Sequence, residues 1–131
     1  MPLHVIVKRK YTVAAIEVIG DDWTSDCPSL SFLAESYKDA NTMASCKGFR
    51  ALFELLADRG PQGVTSAMMH EANKPHGITE LIKGRLRLLC FIEKDTVYLT
   101  NGYLKASQKA DAAEIAQAIR QRHNFWRAEN E

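Results

Sequence analysis

The group best suited to chemistry in this sequence is Arg87, because of where it stands. It interrupts the apolar run Leu86-Arg87-Leu88-Leu89-Cys90-Phe91-Ile92, where an unpaired charge would be costly. A guanidinium keeps its charge and offers an oxyanion two parallel hydrogen bonds, so Arg87 is a candidate phosphate clamp. Its alternative is a structural pairing with Glu80 or Glu93 on an exposed face. Lys83 and Arg85 stand just before it around Gly84, making the densest cationic stretch outside Lys8-Arg9-Lys10. A turn carrying them would touch phosphates without reading sequence, or be a solvated hairpin tip. Tyr103 has a ring that can stack on an unpaired base and a hydroxyl that can move a proton; a half-buried strand tyrosine is the plain alternative. His70 and His76 can exchange protons near neutral pH, or be ordinary loop histidines.

Other chemistries are excluded by spacing. The histidines lack Cys or carboxylate partners at metal-ligand spacing, so no metal site and no cofactor is expected. There is no Walker loop, GxGxxG or GxSxG. Cys27, Cys46 and Cys90 are odd in number and include no CxxC; each is expected as a small packed thiol in a reducing compartment. A net charge of +1 means that any nucleic-acid site must come from local clustering. No apolar run reaches the roughly 20 residues that cross a bilayer, and Met1 to Lys8 is too short for a signal peptide. A cytoplasmic protein with no membrane partner is expected.

The elements that position these groups follow from patterning. With 131 residues, 46% of them hydrophobic, the chain is expected to form one domain over residues 1–131. Lys10–Ile19 is rich in strand formers and reads as the first strand, ended by Gly20-Asp21-Asp22. Pro28 opens a helical pattern with Asp26 as its expected cap, and Leu30, Leu33, Ala34 and Tyr37 share a face. A second helix begins near Thr42, carries Phe49, Leu52, Phe53 and Leu56, and stops at Gly60-Pro61. Residues 61–77 read as a mixed loop. Strands are expected at Ile78–Ile82, Leu86–Ile92 and Thr96–Leu104, with Glu93-Lys94-Asp95 as a tight hairpin. Such short connections favour antiparallel pairing. Asp111 to Glu114 reads as a capping box opening a last helix, with Ile115, Ala118, Ile119 and Trp126 on one face. Arg120, Arg122, His123 and Arg127 form a basic set on that helix. The fold class expected is α+β, a small antiparallel sheet with an N-terminal helical hairpin and a C-terminal helix, in the order β-α-α-β-β-β-α.

That order resembles the toxins of the RelE/ParE superfamily, and three local patterns resemble its HigB-type branch, the toxins of type II toxin-antitoxin systems. Pro28-Ser29-Leu30-Ser31-Phe32-Leu33 with Leu55-Leu56-Ala57-Asp58-Arg59-Gly60-Pro61 resembles the family's helical hairpin. Glu80-Leu81 followed by Arg87-Leu88-Leu89-Cys90-Phe91 is similar to its strand pair. Asn101-Gly102-Tyr103-Leu104-Lys105-Ala106-Ser107-Gln108-Lys109-Ala110 is similar to the family's "H-G-F-x-K-K-T-Q-K-T". The resemblance spans roughly residues 10 to 126. The chain departs from the pattern at Ile82, Asn101, Ala106 and Ser107, where the family carries Arg, His, Lys and Thr. Two cations are thereby lost.

The resemblance implies metal-independent endoribonuclease activity on mRNA at the ribosome. The RNA 2′-hydroxyl attacks the adjacent phosphate, which requires cations for the growing charge and groups that accept and donate protons. Through the motif, Arg87, Tyr103, Lys105 and Lys109 are implied as catalytic, and Lys83, Arg85, Ser107, Gln108 and His76 as RNA-binding. The resemblance also implies a cognate antitoxin, usually one with a helix-turn-helix domain. A ParE-like gyrase inhibitor and a catalytically degenerate binding module remain open. The expected signature of the nuclease site is an Arg87→Ala chain that is folded but no longer arrests growth.

Overall fold

The computed structural model describes residues 2–20, 22–106 and 111–130. Its centre is a six-stranded sheet in the order β1-β2-β8-β7-β6-β5, and a separate two-stranded ribbon pairs β3 with β4. In chain order the strands are β1 Leu3–Lys8, β2 Thr12–Ile16, β3 Val18–Ile19 and β4 Ser25–Asp26, then β5 Met69–Asn73, β6 Ile78–Lys83, β7 Leu86–Glu93 and β8 Thr96–Leu104. The helices are α1 Pro28–Lys38, α2 Met43–Arg59 and α3 Ala112–Glu129. The α+β class and the C-terminal helix stand as expected, but the order does not. The expected first strand divides into β2 and the start of the small ribbon. An additional edge strand, β1, precedes it. The expected loop at 61–77 contains the other edge strand, β5.

The pairing also differs. β2 lies parallel to β8, with Thr12 opposite Thr96 and Ala15 opposite Leu99. A parallel pair needs a long crossover, and here α1, α2 and β5 to β7 all lie within that crossover. The three remaining strand pairs of the β5–β8 half are antiparallel hairpins, with two-residue turns at Gly84-Arg85 and Lys94-Asp95. Gly84 and Lys94 both take positive φ there, 56° and 54°.

β7 shows why the sheet needs cover on both sides: Leu86 through Phe91 are all buried, so neither face can meet water. One face carries Val13, Leu81, Leu88, Cys90 and Leu99 against Phe49, Leu52, Phe53 and Leu56 of α2. The other carries Ile16, Ile78, Leu89, Phe91 and Tyr103 against Ala118 and Phe125 of α3. Phe91, Tyr98 and Phe125 form a ring cluster with centroids 4.6–5.6 Å apart.

Two expected helix faces are rotated. On α1, Ala34 and Tyr37 are exposed, while Ser29 and Ser36 are buried. On α3, Trp126 is 55% exposed and Phe125 takes the buried place. In both cases an aromatic at helical spacing is not the one that faces the sheet. The cap of α1 is Cys27 without a side-chain bond; Asp26 instead accepts from the Ser31 hydroxyl at 2.7 Å. Asp111 caps α3 as expected, accepting from the Ala113 and Glu114 amides. α2 begins at Thr42 and ends at Gly60, whose φ of 77° suits a residue without Cβ.

The three cysteines are free. Cys90 is buried, and burial pushes its thiol up to about 12. Cys27 and Cys46 are half-buried and donate to the carbonyls of Ile16 and Leu33. A thiol reagent at pH 8 is therefore expected to modify Cys27 and Cys46 slowly in the folded chain and Cys90 only after unfolding. Rapid labelling of three thiols in the native state would contradict this packing.

Gly102 of β8 is the point where α1 sits down on the sheet, because a Cβ there would run into the Phe32 ring. Gly102→Ala is expected to cost about 1–3 kcal/mol by overpacking and to lower Tm by several degrees. An unchanged Tm would mean that α1 is not seated against β8.

Candidate functional site

β7 and β8 run side by side in the register that matters for the site: Arg87 is directly opposite Tyr103, and Ile82 of β6 is directly opposite Arg87. Ile82, Arg87 and Tyr103 thus form one row on the α3 face. The ladder continues one rung further, where the Lys105 amide donates to the Arg85 carbonyl at 2.8 Å and Arg85 Nε donates to the Lys105 carbonyl at 3.3 Å. Arg85, in the turn, and Lys105, just past β8, thus lie at the end of the sheet where Arg87 and Tyr103 pair.

Arg87 is held rather than open. Its Nε is 2.7 Å from Glu80 Oε1, off the line of the N–H bond, so the contact is an ion pair. Its Nη1 donates to the Gly84 carbonyl at 2.7 Å and the Leu86 carbonyl at 3.0 Å. Nη2 has no hydrogen-bond partner among the described residues. Both side chains are buried, Arg87 at 11% and Glu80 at 3% exposure. The pairing alternative in the sequence thus describes Arg87's neighbour correctly but not its surroundings, which are interior. Glu80 was not singled out as a site residue. Its signal was available: an acidic residue in a strand, two positions from the point opposite Arg87, lies on Arg87's own face.

Tyr103 is 7% exposed, and its hydroxyl is enclosed beside the Asp111 backbone at the start of α3. Burial first, and then the charge of Glu80, raise its pKa above the ordinary tyrosine range. At neutral pH it is therefore a proton donor and not a base. Asn101, on the same strand face, donates from Nδ2 to the Glu114 carbonyl at 3.0 Å. The residue that stands where the family has His thus fastens α3 to β8. Asp111 occupies the first amides of α3, as it would in competing with a bound anion.

The remaining candidates do not all converge. Lys83 points to the opposite face, its chain packed beside Gly48 of α2. His76 lies in the β5–β6 turn, with its N–H and Nδ1 on Asn73 and its carbonyl accepting from Arg122. It precedes Ile82 by six residues, so strand geometry puts it roughly 20 Å from the Arg87 row. His70 Nε2 reaches Glu80 Oε2 at 3.7 Å. Strand spacing nevertheless leaves it about 14 Å from β8, too far to share a phosphate with Tyr103. Ser107, Gln108 and Lys109 lie outside the described residues. On α3, Arg122 leaves the expected basic set: it is 3.6 Å from Glu93 and stacks over the Phe91 ring. Among the described residues no group of three or more His, Cys, Asp or Glu is placed to hold a metal ion.

A family model described as phage derived protein Gp49-like (DUF891) matches residues 42–123, which include α2 and every element of this site up to the middle of α3. The chain belongs to this family. The Gp49-like family is of the RelE/HigB-like toxin type. No curated protein matches the chain. Among the described residues no helix of this Gp49-like chain is long and apolar enough to cross a membrane.

The ion pair makes a sharp stability prediction and corrects an expectation. Removing Arg87 alone leaves Glu80 buried and unpaired, so Arg87→Ala is expected to lose about 3–5 kcal/mol as well as any activity. Arg87→Met and Glu80→Leu are each expected to be strongly destabilising, and the double variant to recover most of the loss. Urea unfolding of the four chains in a double-mutant cycle measures this. Additive losses would mean that the two groups do not share one interaction.

Proposed function

We propose that this Gp49-like chain is the toxin of a toxin-antitoxin pair and cuts mRNA on the ribosome without a metal. The observation that carries the reading is the Arg87–Tyr103 register, which puts a fixed cation and a protonated phenol side by side. Arg87, through Nη2, and Lys105 would bear on the phosphate as negative charge grows in the transition state. Arg85, exposed at the turn, would hold the neighbouring backbone. Tyr103 would protonate the leaving 5′-oxygen, the role its raised pKa suits, while the proton of the attacking 2′-hydroxyl would pass to water. Glu80 is a positioning residue: it fixes the guanidinium and lowers the positive potential of the site. Ser107, Gln108 and Lys109 enter by the resemblance alone. Lys83 and His76, implied as RNA-binding by the resemblance, lie away from this row. A cognate antitoxin, expected to carry a helix-turn-helix domain, would keep the toxin silent in the cell.

One observation favours a second reading. Arg87 spends three of its contacts on Glu80 and on backbone carbonyls, and Ile82 stands where the family has another cation. A catalytically degenerate module that keeps the fold and binds only its antitoxin would look like this.

Induced expression separates the two, with growth and mRNA 5′ ends read together. Tyr103→Phe removes one hydroxyl and keeps the buried ring, so the chain should fold normally. The wild type is expected to halt growth with new cuts inside translated messages, and Tyr103→Phe to lower cutting by about 10²-fold or more. A soluble wild type that is harmless and leaves messages intact overturns the nuclease and favours the binding module. DNA-damage signalling without cuts would instead indicate gyrase inhibition.

A further inference from the structure

β1 pairs with β2 alone and forms one edge of the six-stranded sheet. The ladder fixes which of its backbone groups are left over. Glu17 donates to the Pro2 carbonyl at 3.0 Å, so the hydrogen-bonded pairs of this antiparallel ladder are Pro2 with Glu17 and His4 with Ala15. The N–H and C=O groups of Leu3 and Val5 therefore point away from β2, and no backbone group among the described residues meets them. The bulge between Val5 and Val7 shifts the pattern by one residue. Beyond it Arg9 donates to the Tyr11 carbonyl, which turns the Lys8 groups outward, and Thr12, opposite Lys8, donates to Asp95 instead. The side chains of this edge are apolar where they are most open: Leu3 is 40% and Val5 56% exposed. On the α2 face, Ile6 and Val7 line a groove of about 500 Å³ with Leu30, Leu33, Phe49 and Phe53.

We propose that β1 accepts an added strand, an extended acidic segment of another protein that pairs with this open edge. An open, apolar edge is a template for strand addition, in which main-chain bonds give affinity and alternate side chains give specificity. Charge selects the occupant. Arg9 is 3.0 Å from Asp58, and Arg50, on the groove, is 3.8 Å from Glu54. Lys8 and Lys10 are exposed and have no carboxylate partner among the described residues. β1 itself carries no carboxylate, so a second copy pairing through the same edge has none on that strand to offer them. A segment with apolar residues beside Leu3 and Val5 and carboxylates beside Lys8 and Lys10 matches the edge along its length. Its residues of opposite direction reach the groove, which admits an aliphatic or aromatic side chain. β2 separates this edge from β8 and the Arg87–Tyr103 row, so the inference does not rest on the nuclease reading.

The test is fluorescence-anisotropy binding of two labelled ten-residue peptides to the full chain, one alternating Val with Glu and one alternating Val with Thr. The Glu peptide is expected to bind about tenfold tighter, and the difference to shrink in about 0.5 M salt. Val5→Pro removes an N–H that points outward and no bond to β2, so it is expected to weaken both peptides about tenfold with little change in Tm. Lys8→Glu combined with Lys10→Glu, at exposed positions, is expected to erase the preference for the Glu peptide, and it decides the matter if Val5→Pro does not fold. Absent binding, equal binding of the two peptides, or a folded Val5→Pro chain that binds as wild type does overturns the proposal. Sedimentation equilibrium of the chain alone covers the other occupant: a dimer that Val5→Pro abolishes overturns the proposal in favour of a second copy.

Discussion

The parallel pairing of Thr12–Ala15 with Thr96–Leu99 is the constraint on which the structure depends. It joins the N-terminal hairpin to the β5–β8 half and makes β8 an interior strand. An interior strand has both edges paired, and β7 beside it is also buried on both faces along most of its length. One face is therefore closed by the α1–α2 hairpin that the crossover brings round, and the other by α3. Without the parallel pair, β1 and β2 would be a detached hairpin, and a two-stranded hairpin has little stability of its own.

That arrangement also determines the electrostatics of the site. Because α3 covers one face, the charged row of β6 and β7 beneath it is interior, and Arg87 must be neutralised within the protein. Glu80 supplies the charge, and the Gly84 and Leu86 carbonyls accept from Nη1. A buried ion pair is weak support for stability but expensive to break, so it holds the guanidinium in one orientation. The same burial keeps the Tyr103 phenol protonated. Rigidity and a restrained positive charge come from one cause. A charge restrained in this way exerts little pull on a distant anion, in keeping with the net charge of +1.

Much of the fold was legible in the sequence. The helical hairpin, the Gly60-Pro61 stop, the β6–β7–β8 meander and the Asp111 cap each have a local cause, in periodicity, turn residues or capping chemistry. The strands β1 and β5 were not legible, because edge strands are half exposed and carry polar residues such as His4, Lys8, His70 and Glu71. The parallel register was not legible either, since no local pattern records which distant strand β2 meets. On α1 and α3, propensity and spacing allowed two neighbouring faces, and contact with the sheet selected one.

For the candidate site, residue type and pattern by themselves marked Arg87 as out of place in an apolar strand and marked Tyr103 and Arg85 as potential partners, while Lys105 entered through the family motif. Sequence could not decide which of them share a face, because that depends on register across β6, β7 and β8. Tertiary structure brought Arg87, Tyr103, Arg85 and Lys105 together, put Lys83 and His76 elsewhere, and introduced Glu80. The physical reason is the two-residue period of a strand: one step along the chain reverses the direction of a side chain, and only the pairing of neighbouring strands fixes which directions coincide.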